Sequence, residues 1–263
     1  MLGVSIVTPN LNQGRYLEEC ILSVLNQDYP NIEHIVMDGG SKDGSLAILR
    51  KYQKHLAHWQ SCRDGGQSDA IDKGFRKCTG DILAWLNADD YYLPGAISKA
   101  VDAFVKNPEA VAVYGDYQLL FPDGRIKKKP KIGYNHKICL YSYLMIPQPS
   151  SFFTRTAYHA VGGIDPDLNY AMDYDLFLRL GKYGKIQHIK QFLSTFRLHS
   201  GSKSVSESEA FGPELRRIRE RYGVNYSNPL KVRFLSKWYL GLAVIRFLLE
   251  RGLLLYRKEP GKA

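Results

Sequence analysis

Two carboxylate pairs stand out by type and spacing. In "LAWLNADDYYLPGA" (residues 83–96) an apolar run leads into Asn87, Ala88, Asp89 and Asp90, and "MDYDLFLRL" (172–180) carries Asp173 and Asp175. Adjacent anions repel each other and are costly beside a hydrophobic strand unless something positive joins them. The plainer reading of Asp89 and Asp90 is a helix N-cap pair ahead of "LPGA". Asp173 and Asp175 lie two apart, on different sides of a helix, and Asp175 stands four before Arg179, the spacing of an ion pair. Asp173 has no such local partner. A carboxylate at a helix N-terminus is expected to stay ionised and able to accept a proton.

The elements that must position these residues alternate. "VSIVTP" reads as a strand, followed by Leu17, Ile21, Val24 and Leu25 at helical spacing. "IEHIVM" is a second strand, and Leu46, Ile48 and Leu49 begin a helix capped by Ser41 or Asp43. "HLAHWQSC" and "DILAWLN" are further strands, with "SDAIDKGFRKC" a helix between them. A helix from about Pro94 and the strand "AVAVYGD" close the series. This rhythm predicts an α/β fold, a mostly parallel sheet with helices on both faces, whose ligands bind beyond the carboxyl ends of the strands. Pro9-Asn10, Asp38-Gly39-Gly40 and Asn87 to Asp90 all fall at such ends. Later, "FPDGR" is a hairpin turn, "IPQPSSFFTR" precedes an aromatic strand, and "MDYDLFLRLGKYG" is a helix closed by glycine.

The 263 residues are 44% hydrophobic and 24% charged, which excludes disordered and collagen-like classes. Four scattered cysteines without a CxxC argue against zinc and disulfides and for a reducing, cytoplasmic setting. No basic region precedes "MLGVSIVTPN", so no signal peptide is expected. The net charge of +10 points to anionic partners, but no nucleic-acid module accompanies it. A nucleotide, a phosphate-bearing lipid and a membrane surface stay open.

The segments "VSIVTPNLNQGRYLEECILSVLNQDYPNIEHIVMDGGSKDGS", "GDILAWLNADDYYLPGA" and "MDYDLFLRL" resemble, in order, the family 2 glycosyltransferases of the GT-A fold. The resemblance runs from Val4 to about Ser204. It implies transfer of a sugar from a nucleotide-diphosphate donor to an acceptor hydroxyl, generally with inversion and with Mn2+ or Mg2+ as cofactor. A hard cation on oxygen ligands would stabilise the departing diphosphate, a role that the resemblance assigns to Asp89 and Asp90. Asn87 replaces the first acid of the relatives' DxD motif, so a metal already complexed to nucleotide is expected. Pro9, Asn10 and Asp38 fall where relatives meet the nucleoside; for "DGGSKDGS" the alternative is a tight turn and cap, the better reading for Asp43.

Asp64 and Asp69 lie in a loop and helix where relatives read Ala-Arg-Asn-x-Gly, and are either donor contacts or caps. Ile71 and Asp72 replace the arginine and asparagine there. Asp173 takes the place of the family's general base, with Met172 replacing the preceding Glu, and its bland alternative is an ordinary N-terminal helix acid. His199 is either a ligand to metal or diphosphate, or structural. Ser200, Ser202 and Lys203 are expected in a closing loop, and Gln148 and Ser150 facing the acceptor.

The expected organisation is a nucleotide-sugar-binding half (1–115), an acceptor-binding half (116–205) and a basic amphipathic helical tail (206–263). "KWYLGLAVIRFLLERGLLLYRK" is interrupted by Arg246, Glu250 and Arg251, which favours a docked helix over a spanning one. It would suit peripheral membrane contact, at the inner face, or a homodimer equally. The implied setting is cell-surface polysaccharide or glycolipid assembly, with a saccharide or lipid-linked acceptor. A catalytically impaired sugar- or lipid-binding module and a sugar nucleotidyltransferase are the alternatives.

Overall fold

The computed structural model describes residues 1–203 and 208–251. Strands β1 (Val4–Asn10), β2 (Ile32–Asp38), β3 (His58–Ser61) and β4 (Ile82–Trp85) run parallel in the order β3-β2-β1-β4. Helices α1 (Gly14–Leu25), α2 (Ser45–Tyr52) and α3 (Gln67–Phe75) cross between them. All seven residues of β1 are buried, which is why it reads as an unbroken run rather than an alternation. Its polar side chains are paired: Ser5 Oγ donates to Glu33 at 2.5 Å, and Thr8 Oγ1 meets His34 Nε2 at 3.0 Å. Helix α1 buries Leu17, Cys20, Ile21 and Val24, one stripe at steps of three and four.

The sheet continues through β8 (Ser151–Thr154), β6 (Ala110–Leu120), β9 (Lys185–Arg197) and β5 (Tyr91–Tyr92), with β7 (Ile126–Lys129) paired to β6. Here the pairing is mixed. β8 is antiparallel to β4 and β6, β5 is antiparallel to β9, and β6 and β9 are parallel. The turn at Phe121–Arg125 is too short for a crossover, so β7 must fold back antiparallel. The α/β architecture expected from the sequence is therefore present, with its parallel character concentrated in the first half. Helices α4 (Ala96–Lys106), α5 (His136–Tyr141), α6 (Arg155–Ala160) and α7 (Met172–Tyr183) complete this part.

The described tail contains α8 (Phe211–Arg221) and α9 (Pro229–Glu250); residues 204–207, where the tail begins, and 252–263 lie outside the described residues. Asn228 caps α9 by accepting from Lys231 N at 3.0 Å, with Pro229 at the first helical position. Ala243 is buried, Val232 and Phe247 pack on the core, and Tyr239 stacks on Tyr141 at 5.3 Å. The charges that interrupt this apolar helix are the ones that dock it. Arg246 pairs with Glu250 at 2.5 Å, Glu250 accepts from Gly133 N at 2.9 Å, and Arg251 reaches the buried Asp116 at 2.7 Å. Among the described residues no helix is long and apolar enough to cross a membrane.

Candidate active site

In-register pairing of β1 with β2 sets Asn10 beside Asp38 at the carboxyl edge. Asn10 Nδ2 donates to Asp38 at 2.5 Å, as do the hydroxyls of Ser41 and Ser61, each at 2.5 Å, and the backbone N–H of Ser41 at 3.0 Å. Burial alone would raise the Asp38 pKa, but these donors outweigh it and hold the carboxyl below its usual range. Because the carboxylate needs a donor, the Asn10 amide nitrogen is fixed toward it. The Asn10 oxygen is then buried without a partner among the described residues, an acceptor left for a ligand N–H or O–H.

Beyond β4, Asn87 is locked by two amides: Gln67 Nε2 donates to its Oδ1 at 2.9 Å, and its Nδ2 donates to Gln148 Oε1 at 3.2 Å. Asp90 turns inward. It is 1% exposed, accepts from Arg197 N at 2.9 Å, and has its pKa raised by burial first and by the charge of Asp89 second. Asp89 instead meets His199, with Oδ2 to Nε2 at 3.0 Å. Gly201 N donates to His199 Nδ1 at 3.2 Å, so the hydrogen-bond pattern places the ring proton on Nε2.

Pairing of β5 with β9 carries residues 197–199 over this acid loop. Arg197 lies 4.8 Å over Tyr16, pairs with Glu19, and donates from Nε to the carbonyl of Asp89 at 3.1 Å. Part of the positive charge that adjacent acids demand is therefore the protein's own, supplied by Arg197.

Asp173 opens α7, whose N-cap Ala171 offers no side-chain acceptor. The turn leading into α7 is held instead from α8. Glu214 takes the backbone N–H groups of Asn169, Tyr170 and Ala171 at 2.8, 2.9 and 2.8 Å. Asp173 itself accepts from Tyr174 N at 2.7 Å. Burial against these walls pushes its pKa up to about 6, outweighing the helix terminus expected to hold it down. It is still mostly ionised at neutral pH. Asp175 forms the expected pair with Arg179 at 2.6 Å and is buried.

These parts enclose a cleft of about 460 Å³. Pro9, Asn10, Asp64, Asn87, Ala88, Asp89 and Asp173 line it. Asp38 and Asp90 sit behind its wall for the reasons above, and His199 backs Asp89 from outside the lining. Asp69 turns to Gly65 N at 2.8 Å and Lys73 at 2.6 Å, the capping arrangement. Asp64 also caps, taking Gly66 N at 2.9 Å, while facing the cleft. Asp43 caps as read, accepting from Ser45 N at 2.9 Å. Gln148 reaches the lining, whereas Ser150 is buried against Asp116 O and Ser194. Ile71 is core, and Asp72 pairs with Arg76 at 2.8 Å.

Gln67, Arg197 and Glu214 carry no signal in their local sequence. Their roles exist only once distant elements meet. Lys203 brings positive charge to the lining, its Nζ donating to Asn169 O at 3.1 Å.

Asp89 Oδ2 and, once its Nε2 proton is displaced, the His199 imidazole would together hold a divalent cation that takes its other ligands from phosphate and water. Among the described residues no cluster of three or more acidic, histidine or cysteine side chains gathers to hold a metal unaided.

A sequence model described as Glycosyl transferase family 2 matches residues 5–158, more than half of the chain. The chain belongs to glycosyl transferase family 2. Over 209 residues this family 2 transferase is 29% identical to a chondroitin synthase of Escherichia coli, covering 78% of the chain and 30% of that protein. It thus spans less than a third of that relative's length. Two solved structures share its fold. Residues 1–349 of S. aureus TarS, in complex with UDP-GlcNAc, match with a TM-score of 0.61 and 18% identity over 76% of this chain and 60% of that one. A mannosyltransferase from Pyrobaculum calidifontis, in complex with GDP-Man and Mn2+, matches with a TM-score of 0.62 and 17% identity over 98% and 81%. The GT-A architecture expected from the sequence is the one this family 2 transferase has. The family match ends before Asp173, His199 and Glu214.

Proposed function

We propose that this family 2 transferase is an inverting enzyme in which Asp173 is the general base. The observation that carries the reading is that a carboxylate poised near neutrality shares one cleft with Asp89. Proton acceptors work best with a pKa close to the working pH. The acceptor hydroxyl gives its proton to a carboxylate oxygen of Asp173 as its own oxygen bonds to the anomeric carbon. The bond from that carbon to the diphosphate breaks, and the nucleoside diphosphate leaves with the electron pair. One in-line displacement inverts the centre.

The residues share out the donor. The Asn10 oxygen receives a base N–H or ribose hydroxyl, with Pro9 and Asp64 beside it. Lys203 offsets negative charge on the diphosphate. Asn87, clamped by Gln67 and Gln148, fixes the loop that presents Asp89. Bound at Asp89 and His199, Mn2+ or Mg2+ would supply the positive charge that stabilises the leaving group. Met172, 5% exposed in the lining, keeps the surroundings of Asp173 apolar where a second acid would have made them more polar. That favours an active enzyme over an impaired binding module.

The likeness to a chondroitin synthase supports polysaccharide or glycolipid assembly, with a saccharide or lipid-linked saccharide as acceptor. The two structural neighbours were solved with donors of different bases, so the donor is proposed as a class, a nucleoside-diphosphate hexose or N-acetylhexosamine. The test is Asp173→Asn. It should bind a donor nucleotide as wild type does by calorimetry, yet lose transfer to acceptor by at least about a thousandfold. Transfer at the wild-type rate would overturn the assignment.

A further inference from the structure

Helix α9 docks on the domain with one face and leaves the other open. On the open face Leu230, Phe234, Trp238, Ile245 and Leu249 are between 51% and 78% exposed. Their steps of four and seven keep them on one stripe, opposite Tyr239, Ala243 and Phe247. An exposed apolar stripe of this length marks a surface that something covers.

The charges flanking that stripe decide what. Lys231, Arg233 and Lys237 are exposed along the first half of the helix. The helix has one acid, Glu250, and it is turned to Gly133 N and Arg246 on the docked side. A second copy of the chain laid on this face would meet three cations with no acid of the face to pair them. A bilayer bearing anionic headgroups pairs all three while its acyl region takes the apolar residues. Tryptophan at the rim suits the headgroup level. No described helix is long enough in apolar residues to cross, so the geometry is in-plane.

We propose that the open face of α9 is a docking surface for an anionic phospholipid bilayer. It shares no residue with the catalytic cleft, so it stands or falls independently of the reaction assigned there.

The full chain is mixed with vesicles of phosphatidylcholine alone or blended with phosphatidylglycerol, then sedimented. Binding to the blend, weakened by salt, is expected, with Trp238 emission moving to shorter wavelength. Trp85 is buried and Trp59 half-buried, so Trp238 dominates that shift. Phe234→Ser/Trp238→Ser should abolish sedimentation. Lys231→Ser/Arg233→Ser/Lys237→Ser should weaken it by roughly a hundredfold, about 1 kcal/mol for each cation. Circular dichroism and donor binding, unchanged in both variants, confirm that they fold. Failure of wild type to bind the blend overturns the proposal, as does equal binding to both lipids that the triple variant keeps. A dimer by light scattering that becomes monomeric in Phe234→Ser/Trp238→Ser assigns the face to a second copy instead.

Discussion

Asp89 Oδ2 and His199 Nε2 meet at 3.0 Å across 110 positions of sequence. The contact exists because β5 and β9 pair, and it sets an imidazole nitrogen against an oxygen of the acid loop. His199→Ala should raise the Mn2+ concentration needed for half-maximal transfer by about 10–100-fold. Chelation by EDTA should abolish transfer in wild type, and added Mn2+ should restore it. A variant with unchanged metal dependence would make His199 purely structural.

The Asp173 carboxyl, pushed up to about 6, sets an acid limb on activity. As the proposed base, Asp173 works only when ionised, so kcat should fall as pH drops through about 6 and be flat above about 7. A pH–rate profile of wild type checks this.

The same shift has a stability sign. In the folded protein Asp173 holds its proton up to about pH 6, and in the unfolded chain only to about 4, so the native state binds more protons between them. Stability from this group is full below about pH 4 and is lost as pH rises through 6. Asp173→Asn should therefore be inactive yet about 1–3 kcal/mol more stable than wild type at pH 7. The gain should shrink toward pH 4, as read by urea unfolding at both values.

Glu214→Ala should free three backbone N–H groups ahead of α7, at a cost of about 1–3 kcal/mol. Asp173, the proposed base, would lose its fixed direction, and kcat should fall about tenfold or more with donor affinity largely kept. Hydrogen exchange at residues 169–171 should speed up in parallel.

A Cβ on Gly74 would lie 2.5 Å from Val7 Cγ1, where α3 crosses the central strand. Gly74→Ala gains about 1 kcal/mol of helix propensity but must overpack the core, which costs about 1–3 kcal/mol and can exceed that gain. The variant should melt at lower temperature than wild type, opposite to the usual effect of alanine in a helix.

The legible part of this protein was the part written locally. The buried run of β1, the three-four stripe of α1 and the polar residues ending β1, β2 and β4 each follow from short-range pattern, and parallel register did the rest. The place of Asp173 at the head of α7 was readable, but the direction of its pKa was not. A helix terminus is visible in sequence, whereas the walls that desolvate a carboxylate are built by distant segments. Asp90 was hard to place for a related reason: two adjacent acids look alike in sequence, and the turn in which Asp90 N donates to the Asn87 carbonyl sends one to the cleft and one inward. Arg197 and Glu214 bear on the site from strand β9 and helix α8, which no spacing rule links to residues 89 or 173. The mixed second half of the sheet was equally hidden, since its strand order is set by long-range pairing.

Strand β9 also governs how the protein can come apart. It threads between β6 and β5 and ends in Arg197, which with His199 two residues further on sits over the acids. A fragment ending at residue 158, where the family match stops, would keep Asp89 and Asp90 but strand them side by side with nothing to quiet their repulsion. The segment that the family model matches is consequently not a detachable cassette. Swapping it onto another member's remaining chain would succeed only if that recipient chain carries matching equivalents of Arg197 and His199.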